Sequence, residues 1–171
     1  NVSITFVSLL YLIFINHFPI LLNGLSQHDD FIAFSQAYSI LKGNWLGDFN
    51  NLTLAKGPGF SFFIFLSFIL GLSIQFSIAF FNLFSLIYLV NTLKKLGIHK
   101  FLLLITFVLI LFHPALIPFR IIRDVICPSI ILIFIIFLLN IFFIDTRPKK
   151  NKYFLFGIFL GFGYIIREDW H

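Results

Sequence analysis

The stretch Val125–Ile144, VICPSIILIFIIFLLNIFFI, decides the fold class because it contains no charged side chain along its whole length. A transmembrane helix needs about 20 consecutive apolar residues, and this stretch has that length. The rest of the chain is similar: 60% of its 171 residues are hydrophobic, 11% are charged, and its mean hydropathy is +1.02. Soluble domains are about half apolar and about a quarter charged. The sequence therefore predicts an all-α fold, a polytopic transmembrane helix bundle, and excludes an ordinary soluble domain.

Four further apolar runs predict the other spans. The first run could be a signal peptide, but no small-residue cleavage site follows it and it is long enough to span. The predicted spans lie at about 2–22, 75–93, 101–119, 125–144 and 153–166 of one transmembrane domain that covers residues 1–171. The outer loop 23–74 is predicted to carry two interfacial helices, at about 30–43 and 60–72.

The first interfacial helix is predicted from its apolar spacing. The residues that recur at helical spacing are Phe31, Phe34, Tyr38, Leu41 and Trp45, whereas Gln36, Ser39 and Lys42 lie on other faces. Such an amphipathic helix suits the membrane surface. Asp29 or Asp30 would cap its start, and Gly43 would end it.

The second interfacial helix decides the topology. The run 60–72 is too short to span comfortably, so it is predicted to lie on the membrane or dip into it. The basic clusters 94–100 and 147–152 then share one side, which the positive-inside rule assigns to the cytoplasm. The loop 23–59 faces the opposite side. If 60–72 crossed instead, the amino terminus would lie outside and this loop would be cytoplasmic.

Two classes of partner or site are not indicated. A lone Cys127 rules out an internal disulfide and a cysteine metal cluster. The net charge is +5, but the basic residues sit at the ends of apolar runs, which is typical of topology signals. No nucleic-acid partner is therefore predicted.

Polar side chains gather on the predicted outer face. They are His28, Asp29, Asp30, Asp48, Lys56, Arg120, Arg123, Asp124, Arg167, Glu168, Asp169 and His171. Carboxylates could accept a proton or hold a metal there, and lysine and arginine could bind an anion. These groups suit transfer from a lipid-linked phosphate.

Each of these residues also has a structural interpretation. An acidic pair at 29–30 can cap a helix. Lys56 can extend its ammonium group to the interface. Arg120 or Arg123 can form an ion pair with Asp124. The segment 167–169 can be the polar end of a span. His28 can be a solvated loop residue.

The order of these motifs resembles the first outer loop of GT-C membrane glycosyltransferases, such as the bacterial aminoarabinose transferases and the protein O-mannosyltransferases. That loop has an acid pair, a helix, a Gly-Asp-Trp-like turn, a Lys-Pro-Pro step and a short second helix. The matching positions are Asp29-Asp30, Gly43-Asn44-Trp45, Lys56-Gly57-Pro58 and 60–72, with later arginine–acid steps at 120–124 and Arg167-Glu168. The chain departs from the family in its Asp-Asp pair, where Asp-Glu is usual, which leaves the identity of the base open. The family is also longer, so the chain resembles an amino-terminal piece that would be inactive alone.

The resemblance implies an inverting glycosyltransferase that moves a sugar from a polyprenyl-phosphate donor to a lipid, glycan or protein acceptor. It implies a multi-pass protein among the lipids of the bacterial inner membrane, with its site facing the periplasm. Asp29 would be the base, and Asp30 would support it or help to bind a divalent metal ion. The donor phosphate would bind Lys56, Arg120 and Arg123, with possible support from His28, Asp124, Arg167 and Glu168.

An alternative is a multi-span transporter or a non-catalytic membrane subunit. A transporter needs polar residues within its spans, near the midplane of the membrane. Only Asn82, Asn91, Asn140 and small hydroxyl side chains are available there.

Overall fold

The computed structural model describes five stretches of the chain. They are residues 2–17, 29–45, 57–118, 122–144 and 150–166, with the side chains of Val2, Asp29, Asp30 and Ala115 outside the description. Every regular element in these stretches is helical, which confirms the predicted all-α class. The seven α-helices of these stretches are α1 Val2–His17, α2 Asp29–Leu41, α3 Gly59–Ile69, α4 Ile74–Lys95, α5 Lys100–Leu111, α6 Cys127–Leu139 and α7 Lys150–Ile166.

Two short helical turns extend α6, one at each end. A 3-10 turn, Arg123–Val125, leads into α6, and a π turn, Asn140–Ile144, follows it. Among the described residues, two helical segments are long and apolar enough to cross a membrane, Ile74–Lys95 and Arg123–Ile144. Shorter apolar helices occur at Ser3–His17, Phe31–Leu41, Gly59–Ile69 and Lys100–Leu111.

The helix ends follow from local chemistry. Gly43 and Gly71 adopt φ of +82° and +65°, and each closes a helix with the paired backbone hydrogen bonds of a Schellman motif. Ser73 starts α4, because its hydroxyl accepts a hydrogen bond from the Phe76 backbone N–H at 3.2 Å. The helix α5 ends at Leu111, earlier than the predicted span 101–119. Pro114 explains the difference, since it disfavours helical geometry at His113 and brings no N–H of its own.

The helices α4 and α6 run parallel and form the centre of the bundle. Ser129 of α6 donates a hydrogen bond to Asn82 of α4. Eleven residues later, Asn140 of the π turn donates one to Thr92, ten residues after Asn82, at 3.3 Å. The helices α1 and α5 pack on one side of α4, around Tyr11, Leu86 and Phe107. The helix α7 packs against α6, where Phe156 and Phe159 meet Phe137.

Both ends of α3 lie at one end of this bundle, which we call the loop end. Gly59 begins α3 against the last two residues of α7, Ile165 and Ile166. The other end of α3 leads into Gly71 and Leu72, which border a cavity together with Asn16 and His17 at the end of α1. The helix α3 therefore lies across the starts of α4 and α6 instead of running alongside them.

The described lysines of the basic clusters lie at the opposite end, which we call the basic end. They are Lys94 and Lys95 at the end of α4, Lys100 at the start of α5, and Lys150 and Lys152 at the start of α7. The bundle thus separates these lysines from α2 and α3 by the length of α4.

Candidate functional site

A small cavity lies at the loop end, between α2, α3 and the turn that precedes α6. Its lining residues are Ile32, Ala33, Gln36, Gly57, Phe60, Ser61 and Arg123. The centre of a water molecule can move over about 20 Å³ inside it. By this measure one water needs about 10–15 Å³, so the cavity holds a single group of that size.

The helix α2 reaches the cavity with a face of small residues. Ile32, Ala33, Gln36 and Ala37 are buried along one side. Alanine side chains allow α2 to approach α3 closely, and the two helices form an extensive contact. The opposite side, with Phe31, Tyr38 and Leu41, is exposed, as an interfacial helix would leave it, and Trp45 beyond the end of α2 is exposed too. Phe34 instead contacts Phe68 of α3.

Gln36 is the unusual residue of this face. Its side chain is only 3% exposed, and its Oε1 accepts a hydrogen bond of 2.6 Å from the hydroxyl of Ser61. Among the residues that the structure describes, its Nε2 has no hydrogen-bond partner. A buried amide that lacks a partner costs about 1–3 kcal/mol, which protein cores normally avoid.

Gly59 holds α3 against the end of α7. A Cβ atom at this position would lie 2.8 Å from the backbone carbon of Ile165 and from the backbone nitrogen of Ile166. Only glycine permits this contact. Since Ile166 is followed in the chain by Arg167, the contact brings the end of α7 beside the Lys56–Gly59 motif.

The predicted site residues fall into two groups. Asp29 and Asp30 form the first turn of α2, with side chains outside the description, and the residues wholly outside it are His28, Lys56, Arg120, Arg167 and Glu168. Arg123 is partly buried and lines the cavity, and Asp124 beside it is exposed.

The described neighbours of these motifs meet at the loop end. Ile32 and Ala33 follow the acid pair by one helical turn, Gly57 follows Lys56, and both segments line the same cavity as Arg123. Gly59 adds the contact with Ile166 of α7. Four sequence motifs that are far apart in the chain therefore have flanking residues at one place.

The described side chains do not form a metal site. Among them, no group of three histidine, cysteine or acidic residues lies close enough to hold a metal ion. The side chains of the acid pair 29–30 are not among the described ones, so its predicted metal role stays a prediction.

Gln36 was missed by the sequence analysis, which placed it only on a polar side of α2. The sequence contained one signal for its burial. Gln36 lies at helical spacing from Ala33 and Ala37, and a side of a helix made of small residues is suited to close contact with another helix. Its partner, Ser61, could not be inferred, because the packing of α2 on α3 is not encoded locally.

Two buried asparagines in the bundle centre, Asn82 and Asn140, are bonded within the protein. Asn82 donates to the carbonyl oxygen of Leu116 at 2.8 Å, and Tyr11 donates to the same oxygen at 3.2 Å. Asn140 donates to the carbonyl oxygen of Ile136 at 2.8 Å, as well as to Thr92. Asn91 is exposed on α4. The amides of Asn82 and Asn140 therefore tie helices together.

Comparison of the chain with protein-family models, with curated protein sequences and with solved structures finds no match. The residues and their placement are therefore the basis for assigning a function.

Proposed function

We propose that this chain is part of a multi-pass membrane glycosyltransferase of the GT-C type, with its site at the loop end. The meeting of the four motif flanks at the cavity carries the proposal. An acid pair, a Lys-Gly-Pro-Gly segment, an arginine–acid turn and the end of a glycine-rich helix have no shared structural task that requires them to be neighbours. A transferase for a phosphate-linked donor needs these groups together.

The exposed surface supports insertion into a bilayer. Large apolar side chains on the outside of α1, α5 and α7 are 51–69% exposed, namely Phe6, Leu9, Ile13, Phe101, Leu109, Phe154 and Ile158. Soluble monomers rarely expose apolar patches of more than a few hundred Å². Lipid is the natural cover for such a surface, and the polar loop end and basic end would then face water on opposite sides.

The chemistry would proceed by a single displacement. Asp29 removes the proton of an acceptor hydroxyl, and the acceptor oxygen attacks the anomeric carbon opposite the phosphate. The bond between that carbon and the phosphate oxygen breaks, and its electron pair leaves with the polyprenyl phosphate. Lys56, Arg120 and Arg123 stabilise the charge that develops on this phosphate. The sugar is transferred with inversion.

The test is transfer by the full-length gene product with a purified lipid-linked sugar donor. Asp29→Asn retains the size of the side chain and an oxygen that can accept from free N–H groups in the first turn of α2, but it cannot accept the proton. Loss of a positioned base lowers rates by about 10²–10⁴-fold, and that loss of transfer is expected here without loss of membrane insertion.

The matched control is Asp145→Asn, because Asp145 follows the π turn at the basic end of the bundle. It should transfer sugar at the original rate. Near-normal transfer by both Asp29→Asn and Asp30→Asn would mean that the acid pair is only a helix cap. The base would then have to be Asp124, Glu168 or Asp169.

A further inference from the structure

The buried amide of Gln36 has a donor group that a ligand could satisfy. Its Nε2 is a hydrogen-bond donor without a partner, in the wall of a cavity that also contains Arg123. Ser61 fixes the amide by donating to its Oε1, so the NH₂ group is left as the available end. An arginine and an amide donor around one small space favour an acceptor oxygen that carries negative charge.

The size of the cavity limits what can enter. A space of about 20 Å³ for the centre of a water molecule takes one oxygen atom and no larger group. A whole sugar ring does not fit, whereas one oxygen of a tetrahedral oxyanion does. The remaining atoms of that group would lie outside the cavity, beside Gly57.

We propose that this cavity is a subsite for one phosphate oxygen, with Gln36 as the hydrogen-bond donor and Arg123 as the adjacent cation. The assignment rests on the proposed function in one respect, because a polyprenyl-phosphate donor supplies such an oxygen. Free inorganic phosphate has the same chemistry and is the second possible source. Gln36 belongs to none of the motifs that the sequence singled out, so it adds a binding residue to the site.

The test compares farnesyl phosphate, farnesol and inorganic phosphate as ligands of the full chain in lipid nanodiscs. Gln36→Leu should weaken binding of farnesyl phosphate by roughly 10- to 100-fold, the range for a hydrogen bond to a charged group. Binding of farnesol, which lacks the phosphate, should not change. Displacement of farnesyl phosphate by millimolar inorganic phosphate would support free phosphate as a ligand, and its failure to displace would support the lipid-linked form.

Thermal unfolding separates binding from a structural role. Without ligand, Gln36→Leu should unfold near the original temperature, because leucine removes an amide donor that has no partner but leaves the Ser61 hydroxyl without its acceptor. The double variant Gln36→Leu, Ser61→Ala also removes the Ser61 hydroxyl, which would otherwise be left without an acceptor. It should be at least as stable as the original protein. Ser67→Ala is the matched control on α3, since the Ser67 hydroxyl bonds to the carbonyl oxygen of Phe63 in its own helix.

The decisive variant is Gln36→Glu. A carboxylate has the same shape but repels a phosphate oxygen, so binding should fall further than with leucine. Unchanged affinity of either variant for farnesyl phosphate, with a folded protein, would overturn the subsite. If Gln36→Leu weakens binding while the full-length protein transfers no sugar, the subsite stands and the transferase proposal fails. If transfer occurs and the KM of Gln36→Leu for the donor is normal, the transferase proposal stands and the subsite fails.

Discussion

Gly59 shows how one residue can hold a site together. It is the last residue of the Lys56–Gly59 motif, and its missing side chain lets α3 contact the backbone of α7. Gly57, two residues earlier, lines the cavity. Any shift of α3 away from α7 would therefore also displace the cavity wall.

Gly59→Ala should destabilise the protein. The added methyl group meets backbone atoms at 2.8 Å, which cannot move like the end of a flexible side chain. Overpacking of this kind costs about 1–3 kcal/mol. Chemical denaturation in detergent, followed by circular dichroism, measures the change in unfolding free energy.

Gly157→Ala is the control for this variant. No atom lies within 4 Å of a Cβ at Gly157, so alanine there should be neutral or should stabilise α7 by about 0.5–1 kcal/mol. Equal stabilities of the two variants would contradict the close contact between α3 and α7.

At the scale of the element, α3 has a length that the bilayer cannot accommodate as a span. Its 11 residues extend over about 16 Å, and the hydrocarbon core is about 30 Å thick. Its exposed side chains Phe62, Leu66 and Ile69 form one stripe along the helix. This geometry predicts a helix parallel to the membrane plane.

Nitroxide labels at Phe62, Leu66 and Ile69 test this orientation by power-saturation EPR in nanodiscs. The three labels should report similar depths, because the stripe lies at one level. A crossing helix would separate the depths of the first and last labels by about 10 Å. Such a gradient would show that α3 is not interfacial. It would also contradict the predicted placement of loop 23–59 on the side opposite the basic clusters.

The α3 region also shows what the sequence could and could not predict. The apolar run, its length and Gly71 predict the helix and its end, because these are local properties. The contact of Gly59 with Ile166 and the bond between Ser61 and Gln36 join segments far apart in the chain, and no local pattern specifies them. The sequence likewise indicated Arg123 as a site residue by its charge, but the cavity beside it depends on the packing of α2.

At the scale of the whole molecule, charge is separated along the bundle axis. The described lysines of both basic clusters lie at the basic end, and the helices of the first loop lie at the other. In a membrane, the positive-inside rule would place the basic end in the cytoplasm. The loop end, with the proposed site, would then face the outside.

Single cysteines at Asn50 and Asn151 test this orientation on a Cys127→Ser background. Serine retains a donor toward the Arg123 carbonyl oxygen, which the Cys127 thiol approaches at 3.5 Å. In intact cells, a membrane-impermeant maleimide should label position 50 and leave position 151 unlabelled. Labelling at 151 alone would reverse the orientation and place the proposed site in the cytoplasm.

The bonds of Asn82 have a consequence for synthesis. Its partners come later in the chain, Leu116 after 34 residues and Ser129 after 47. At about 5–20 residues per second, Ser129 leaves the ribosome roughly 2–9 s after Asn82. Until Leu116 emerges, about 2–7 s after Asn82, the amide has neither partner, and an unpaired amide in hydrocarbon is costly. In a membrane, α4 must therefore stay within a hydrated or protein-lined insertion pathway until α6 arrives, and the order of translation becomes part of how this bundle assembles.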